Sequence, residues 1–233
     1  MSGDGILWPM RRLLITVVIG VLAGTAVSAT QTRRRPARRP APVKVEKVQP
    51  AIKCPSPLGV GVRTGLHFCD VLTGRDPATG VLITIPPHRG DATLSFDLHN
   101  RQTYSADQVK AHKAYARYTA TVDVVTGDGT IIDRGVVRSE FRTEADLVDW
   151  IGGGAGPGGV KAVAPTGTEP IRITVPQKVE QVSILGEKLE VLRLDGAYIY
   201  QAAGLPIADI SNVMLEYRPA PVRKRPIRKK KKK

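Results

Sequence analysis

The chain reads as all-β: an antiparallel β-sandwich, jelly-roll-like or immunoglobulin-like, with one or two short helices and flanked by disordered basic tails. Three observations predict this class. Short runs rich in Val, Ile and Thr recur between residues 66 and 217. Turn-forming Gly, Pro, Asp and Asn punctuate them. Long stretches with a 3.6-residue apolar period are missing.

Taken in order, the N-terminus reads as an export signal over residues 1–29. Arg11 and Arg12 precede the apolar run Leu13–Val27, and Val27–Ala29 supplies small residues for cleavage. That run is shorter than the roughly 20 residues a membrane-crossing helix needs. An uncleaved N-terminal anchor is the alternative. The pair Arg11–Arg12 only faintly resembles a twin-arginine signal. Residues 30–53 read as a linker, since prolines at 36, 40, 42 and 50 exclude regular helix and clustered cations repel one another. Cys54 and Cys69 are the only two cysteines, and in an oxidising compartment they are expected to pair.

The folding region spans 54–217 as one domain. Its expected strands begin with 66–72, 80–85 and 92–98; in the last, Leu94, Phe96 and Leu98 alternate with Thr93, Ser95 and Asp97. Residues 118–125 follow, then the turn "TGDG" at 126–129, read as type I′, and a return strand over 130–141. Further runs lie at 171–175, 179–185, 188–194, 197–200 and 213–217, with Gly186-Glu187 read as a second tight hairpin. Ser105-x-x-Gln108 and Thr143-x-x-Asp146 have capping-box spacing and predict two short helices, the second reaching Gly152. The Gly/Pro/Ala-rich stretch 152–168 reads as one long irregular loop, and residues 218–233 as a disordered polybasic tail.

A formal net charge of +14 first suggests a nucleic-acid binder. Its distribution argues otherwise. Residues 30–53 carry +7 and residues 218–233 carry +10, leaving 54–217 at −4. The candidate polyanion-binding residues are Arg33, Arg34, Arg35, Arg38 and Arg39 before the domain. After it come Arg223, Lys224, Arg225, Arg228, Lys229, Lys230, Lys231, Lys232 and Lys233. No aromatics interleave the C-terminal run, so base stacking is unsupported. Behind an export signal, the expected partner is an anionic envelope polymer or membrane surface, with nucleic acid ranked last.

No catalytic or metal site is assigned, and no cofactor is implied. The Gly-rich stretch lacks the Lys-Ser/Thr and following helix of a phosphate-binding loop. Asp97 and His99 share one strand face, expected to be solvated. The acids at 123, 128 and 133 lack EF-hand spacing. Arg89-Gly90-Asp91 reads as an ordinary turn, and Trp150, three residues after Leu147, as core of the second helix. The expected function is therefore a non-catalytic interaction or structural module, periplasmic, envelope-bound or extracellular. The alternative is a secreted enzyme or carbohydrate-binding sandwich with its site in the 86–91 and 152–168 loops.

Overall fold

The computed structural model describes residues 44–221 apart from 152–154 and 157–158. The strands are β1 (Glu46–Val48), β2 (Ile52–Lys53), β3 (Pro57–Val60), β4 (His67–Leu72), β5 (Val81–Thr84) and β6 (Ala92–Ser105). After the short helix α1 (Ala106–Lys110) come β7 (Ala116–Thr126), β8 (Ile131–Phe141), β9 (Ala155–Gly156) and β10 (Gly159–Val175). β11 (Gln181–Arg193), β12 (Gly196–Tyr200) and β13 (Pro206–Tyr217) complete the order. All the ladders between strands are antiparallel.

Two sheets pack face to face. One runs β3-β4-β13-β6-β10-β9 with β1 added on β13; the other runs β2-β5-β11-β7-β8 with β12 added on β11. The chain alternates between them, β4 to β5 to β6, then the β7–β8 hairpin, then β10 to β11 to β13. That crossing pattern, with central orders β4-β13-β6-β10 and β5-β11-β7-β8, is the connectivity of a jelly roll. The topology that periodicity left open between jelly roll and immunoglobulin is thus settled by which strands pair.

The core is what the alternation prescribes. Leu94, Phe96 and Leu98 of β6 face Ala120, Val122 and Val124 of β7 and Val182 and Ile184 of β11 across the sandwich, all buried. Burial of side chains this size contributes roughly 1.5–3 kcal/mol each. Cys54 and Cys69 are joined, with Cα atoms 5.9 Å apart. The bridge fastens the segment after β2 to β4.

Several expectations change at bulges and edges. Gly186-Glu187 is not a hairpin: β11 runs through it, with a bulge between Gly186 and Lys188. A Cβ on Gly186 would lie 2.8 Å from Ile207 of the facing sheet, so glycine permits the sheets to close there. The 126–129 turn does form a hairpin, though not type I′. Thr126 C=O accepts from Gly129 N–H at 3.0 Å, and only Gly129 has positive φ, +85°, a three-residue bulged loop. The stretch 152–168 is largely not a loop either. From Gly159 onward it belongs to β10, paired with β6 from Lys161 to Thr166. Pro165 is tolerated because its carbonyl accepts from Val148 N–H at 3.0 Å and that edge asks no donor of it.

The second predicted helix is only a 3-10 turn at Glu144–Asp146, where the Asp146 carboxylate accepts Thr143 N–H at 2.9 Å. Beyond it the chain extends along β10, bridging Leu147 to Thr166. Trp150 is therefore half-buried at an edge, with the Arg63 guanidinium 5.6 Å from its ring centroid. The sandwich also reaches past both expected limits. β1 and β2 lie within the stretch read as linker, and Arg218–Ala220 pair with Pro87–Arg89.

Candidate functional site

Three places bring chemistry-bearing residues together. The first is the base of the two basic segments. β1 lies antiparallel on β13 with Glu46 opposite Tyr217, and Lys47 and Glu216 form an ion pair at 3.2 Å. The start of one strand therefore adjoins the end of the other. The chain enters and leaves the sandwich at the same end, where Glu216 is also opposite Thr93 at the start of β6. Arg33, Arg34, Arg35, Arg38, Arg39 and the cations from Arg223 to Lys233 lie outside the described residues, as does the stretch 1–29 read as an export signal.

The second is a polar row across the outer face of the first sheet. Asp70 of β4, Asp209 of β13 and His99 of β6 are register neighbours. Asp97 and His99 do share a face, but His99 is not solvated: it is 2% exposed, with Phe68 edge-on at 5.5 Å. Its Nδ1 lies 2.8 Å from the Gly167 carbonyl, which can only accept, so that nitrogen carries the proton. Nε2 then accepts from the Ser211 hydroxyl at 2.9 Å. Burial holds the His99 pKa below its usual value, partly offset by the Gly167 contact and by Asp97. Gly167 reaches this position at φ +67° within the β10 bulge, where a Cβ would lie 2.6 Å from Ser139.

A Ser–His pair of this kind can activate a nucleophile only where substrate reaches the hydroxyl. Ser211 is 2% exposed, and a carbonyl rather than a carboxylate orients the ring. The pair is a satisfied structural contact. Beside it, the Asp70 carboxylate accepts from Arg101 Nε at 2.8 Å and from the Ser56 hydroxyl at 2.7 Å. Asp209 is fully buried, and neither of its oxygens accepts from a donor among the described residues. Its neighbour is the Asp70 carboxyl, an attraction only when a proton is shared. Burial, then that hydrogen bond and the Asp70 charge, push the Asp209 pKa well above the usual carboxylate range, with Arg101 opposing.

The third is a cleft of about 610 Å³ between the sheets at the end of β6. Its walls come from the starts of α1 and β7 and the ends of β8 and β11. Gln102 lies in the wall, 4% exposed, and among the described residues neither of its amide atoms has a partner. Ser105 and Gln108 line it too; Ser105 makes no side-chain cap bond to α1, so the capping box read from the spacing does not close. Tyr115, Tyr118 and Phe141 line it, the last two buried, and Arg193 supplies a guanidinium. Burial pushes the Tyr118 phenol up, against the opposing influence of Arg193.

Among the described residues, no group of three or more His, Cys, Asp or Glu is arranged to hold a metal, and no helix is long and apolar enough to cross a membrane. The polar row and the cleft escaped sequence reasoning because Asp209, Ser211 and Gln102 sit in strands that pair only through long crossovers. The one available signal was a polar residue at an inward phase, as Gln102 follows Leu98 and Asn100. The chain matches no protein-family model, no curated protein and no solved structure.

Proposed function

We propose that this protein is an exported interaction or structural module of the cell envelope, non-catalytic, and held to anionic polymers or surfaces by its two basic segments. The observation that carries the reading is the pairing of β1 with β13, which joins residues 30–43, carrying +5, and residues 222–233, carrying +9, to the same end of a domain whose core stretch is acidic. Two cationic segments rooted together engage one polymer with a high effective concentration, so the second engages at little further entropic cost. The disulfide supports an oxidising compartment.

Binding of this type depends steeply on salt and weakly on polymer sequence. The test compares the mature chain with variants lacking 222–233, 30–43 or both, on heparin and on vesicles rich in anionic lipid. Each single deletion is expected to lower retention and flatten the salt slope, and the double deletion to abolish binding. Unchanged retention by the double deletion refutes the proposal.

A further inference from the structure

We propose that a second, smaller cleft, opening where β6 outruns β13, binds a small organic anion through its carboxylate or phosphate oxygens, independently of the basic segments. β13 pairs with β6 only as far as Ala208 opposite Asn100, whereas β6 runs on to Ser105. Beside that stretch lies a cleft of about 210 Å³. It is lined by Arg101 of β6, by Leu205 and Pro206 where β13 begins, and by Tyr118, Arg193 and Tyr200 of the other sheet.

Its strongest mark is Arg101. The Nε donates to the Asp70 carboxylate at 2.8 Å, which fixes the plane of the guanidinium. Neither Nη nitrogen has an acceptor among the described residues, and neither is buried; the side chain is 22% exposed. One edge of the fork is therefore held and the other is open. A planar guanidinium oriented in this way meets a second oxyanion with little further loss of side-chain freedom.

The rest of the wall narrows the chemistry. Asp70 balances the charge of Arg101, so the uncompensated charge is that of Arg193, which is exposed and forms no ion pair among the described residues. Its guanidinium lies beside the Tyr118 hydroxyl and 6.0 Å from the Tyr198 ring centroid. The Tyr200 hydroxyl, matched to no partner among the described residues, is not buried. No acidic residue lines the cleft. A neutral sugar would leave both guanidinia without a counter-charge. A nucleotide is too large, since the volume is below the roughly 300–1,000 Å³ of ordinary ligand pockets. A short organic acid or phosphate ester fits, with its oxygens on the two guanidinia and its carbon atoms against Leu205 and Pro206.

The experiment titrates the disulfide-bonded chain from residue 30 with succinate and with glycerol 3-phosphate, D-glucose serving as the neutral control. The Arg101 Nε–H resonance is followed by NMR. The same titrations of a variant lacking 30–43 and 222–233 separate this site from the basic segments. At least one anion should shift the resonance saturably, with equal affinity in both proteins, and the tighter of the two identifies the oxyanion. Arg193→Gln, at an exposed position, should lower that affinity about tenfold with the melting temperature unchanged. Tyr200→Phe should lower it about threefold. No saturable shift by either anion overturns the proposal. So does an equal shift by D-glucose, a response lost with the basic segments, or wild-type affinity in Arg193→Gln.

Discussion

Asp209→Asn tests the polar row directly. In the folded protein Asp209 is fully buried, flanked by Asp70 from β4 and by His99 and Arg101 from β6, with no donor on either oxygen among the described residues. In the unfolded chain its carboxyl titrates near the ordinary value of 3.8. Between that value and the raised folded one, the unfolded chain has released a proton that the native state keeps. The sign follows: a raised folded pKa gives stability that is complete in acid and lost as pH rises. The loss is about 1.4 kcal/mol per pH unit until Asp209 itself ionises. Asparagine keeps the shape, does not titrate, and offers Asp70 a permanent N–H donor. The stability of Asp209→Asn relative to wild type should therefore grow by about 1.4 kcal/mol per unit from near pH 5 upward, then level off. Urea unfolding at several pH values between 4 and 8, followed by the fluorescence of Trp150 and by far-ultraviolet circular dichroism, measures it; titrating groups remote from Asp209 cancel in the difference. Parallel stability profiles for the two proteins would show that Asp209 is not held protonated by the fold.

Two further perturbations address the clasps around the sandwich. Replacing Cys54 and Cys69 by Ala removes a crosslink across 15 residues, which in the chain-entropy picture costs about 3 kcal/mol. A domain of this size should then melt about 6–12 °C lower by calorimetry, and an unchanged melting temperature would contradict a constraining role. Asp149 accepts from Arg63 N–H at 3.0 Å, Thr64 N–H at 2.8 Å and the Thr64 hydroxyl at 2.6 Å, holding the turn after β3 against the edge of β10. Burial alone would raise its pKa, but these donors prevail and lower it, so its contribution is present above the ordinary 3.8 and lost as pH falls below it. Asp149→Ala should cost about 1.5–3 kcal/mol at pH 7 and much less near pH 3, read by chemical denaturation.

Much of the strand inventory was legible because period-two alternation is a local property. Leu94, Phe96 and Leu98 faced the core as their spacing required, and Asp128-Gly129 marked a real hairpin. The failures share a cause. At Gly186 the inward phase shifts from Val182 and Ile184 to Leu189 and Val191, and a bulge and a turn leave the same break in the pattern. The Gly/Pro/Ala composition that reads as loop is overridden in β10 by thirteen register partners on β6. His99 was placed on the correct face, but whether a face is wet depends on what covers it, here Phe68, Ser211 and the Gly167 carbonyl.

By itself the sequence determined the sandwich class, the pairing of its two cysteines and the segregation of positive charge to its ends, since each follows from local pattern, a count or a sum over residues. Only the tertiary structure decided the jelly-roll order, the common root of the two basic segments, the buried Asp70–Asp209–His99 row and the cleft around Gln102. Those depend on contacts between residues far apart in the chain, and a strand's sequence carries its own periodicity but not the identity of the strand beside it.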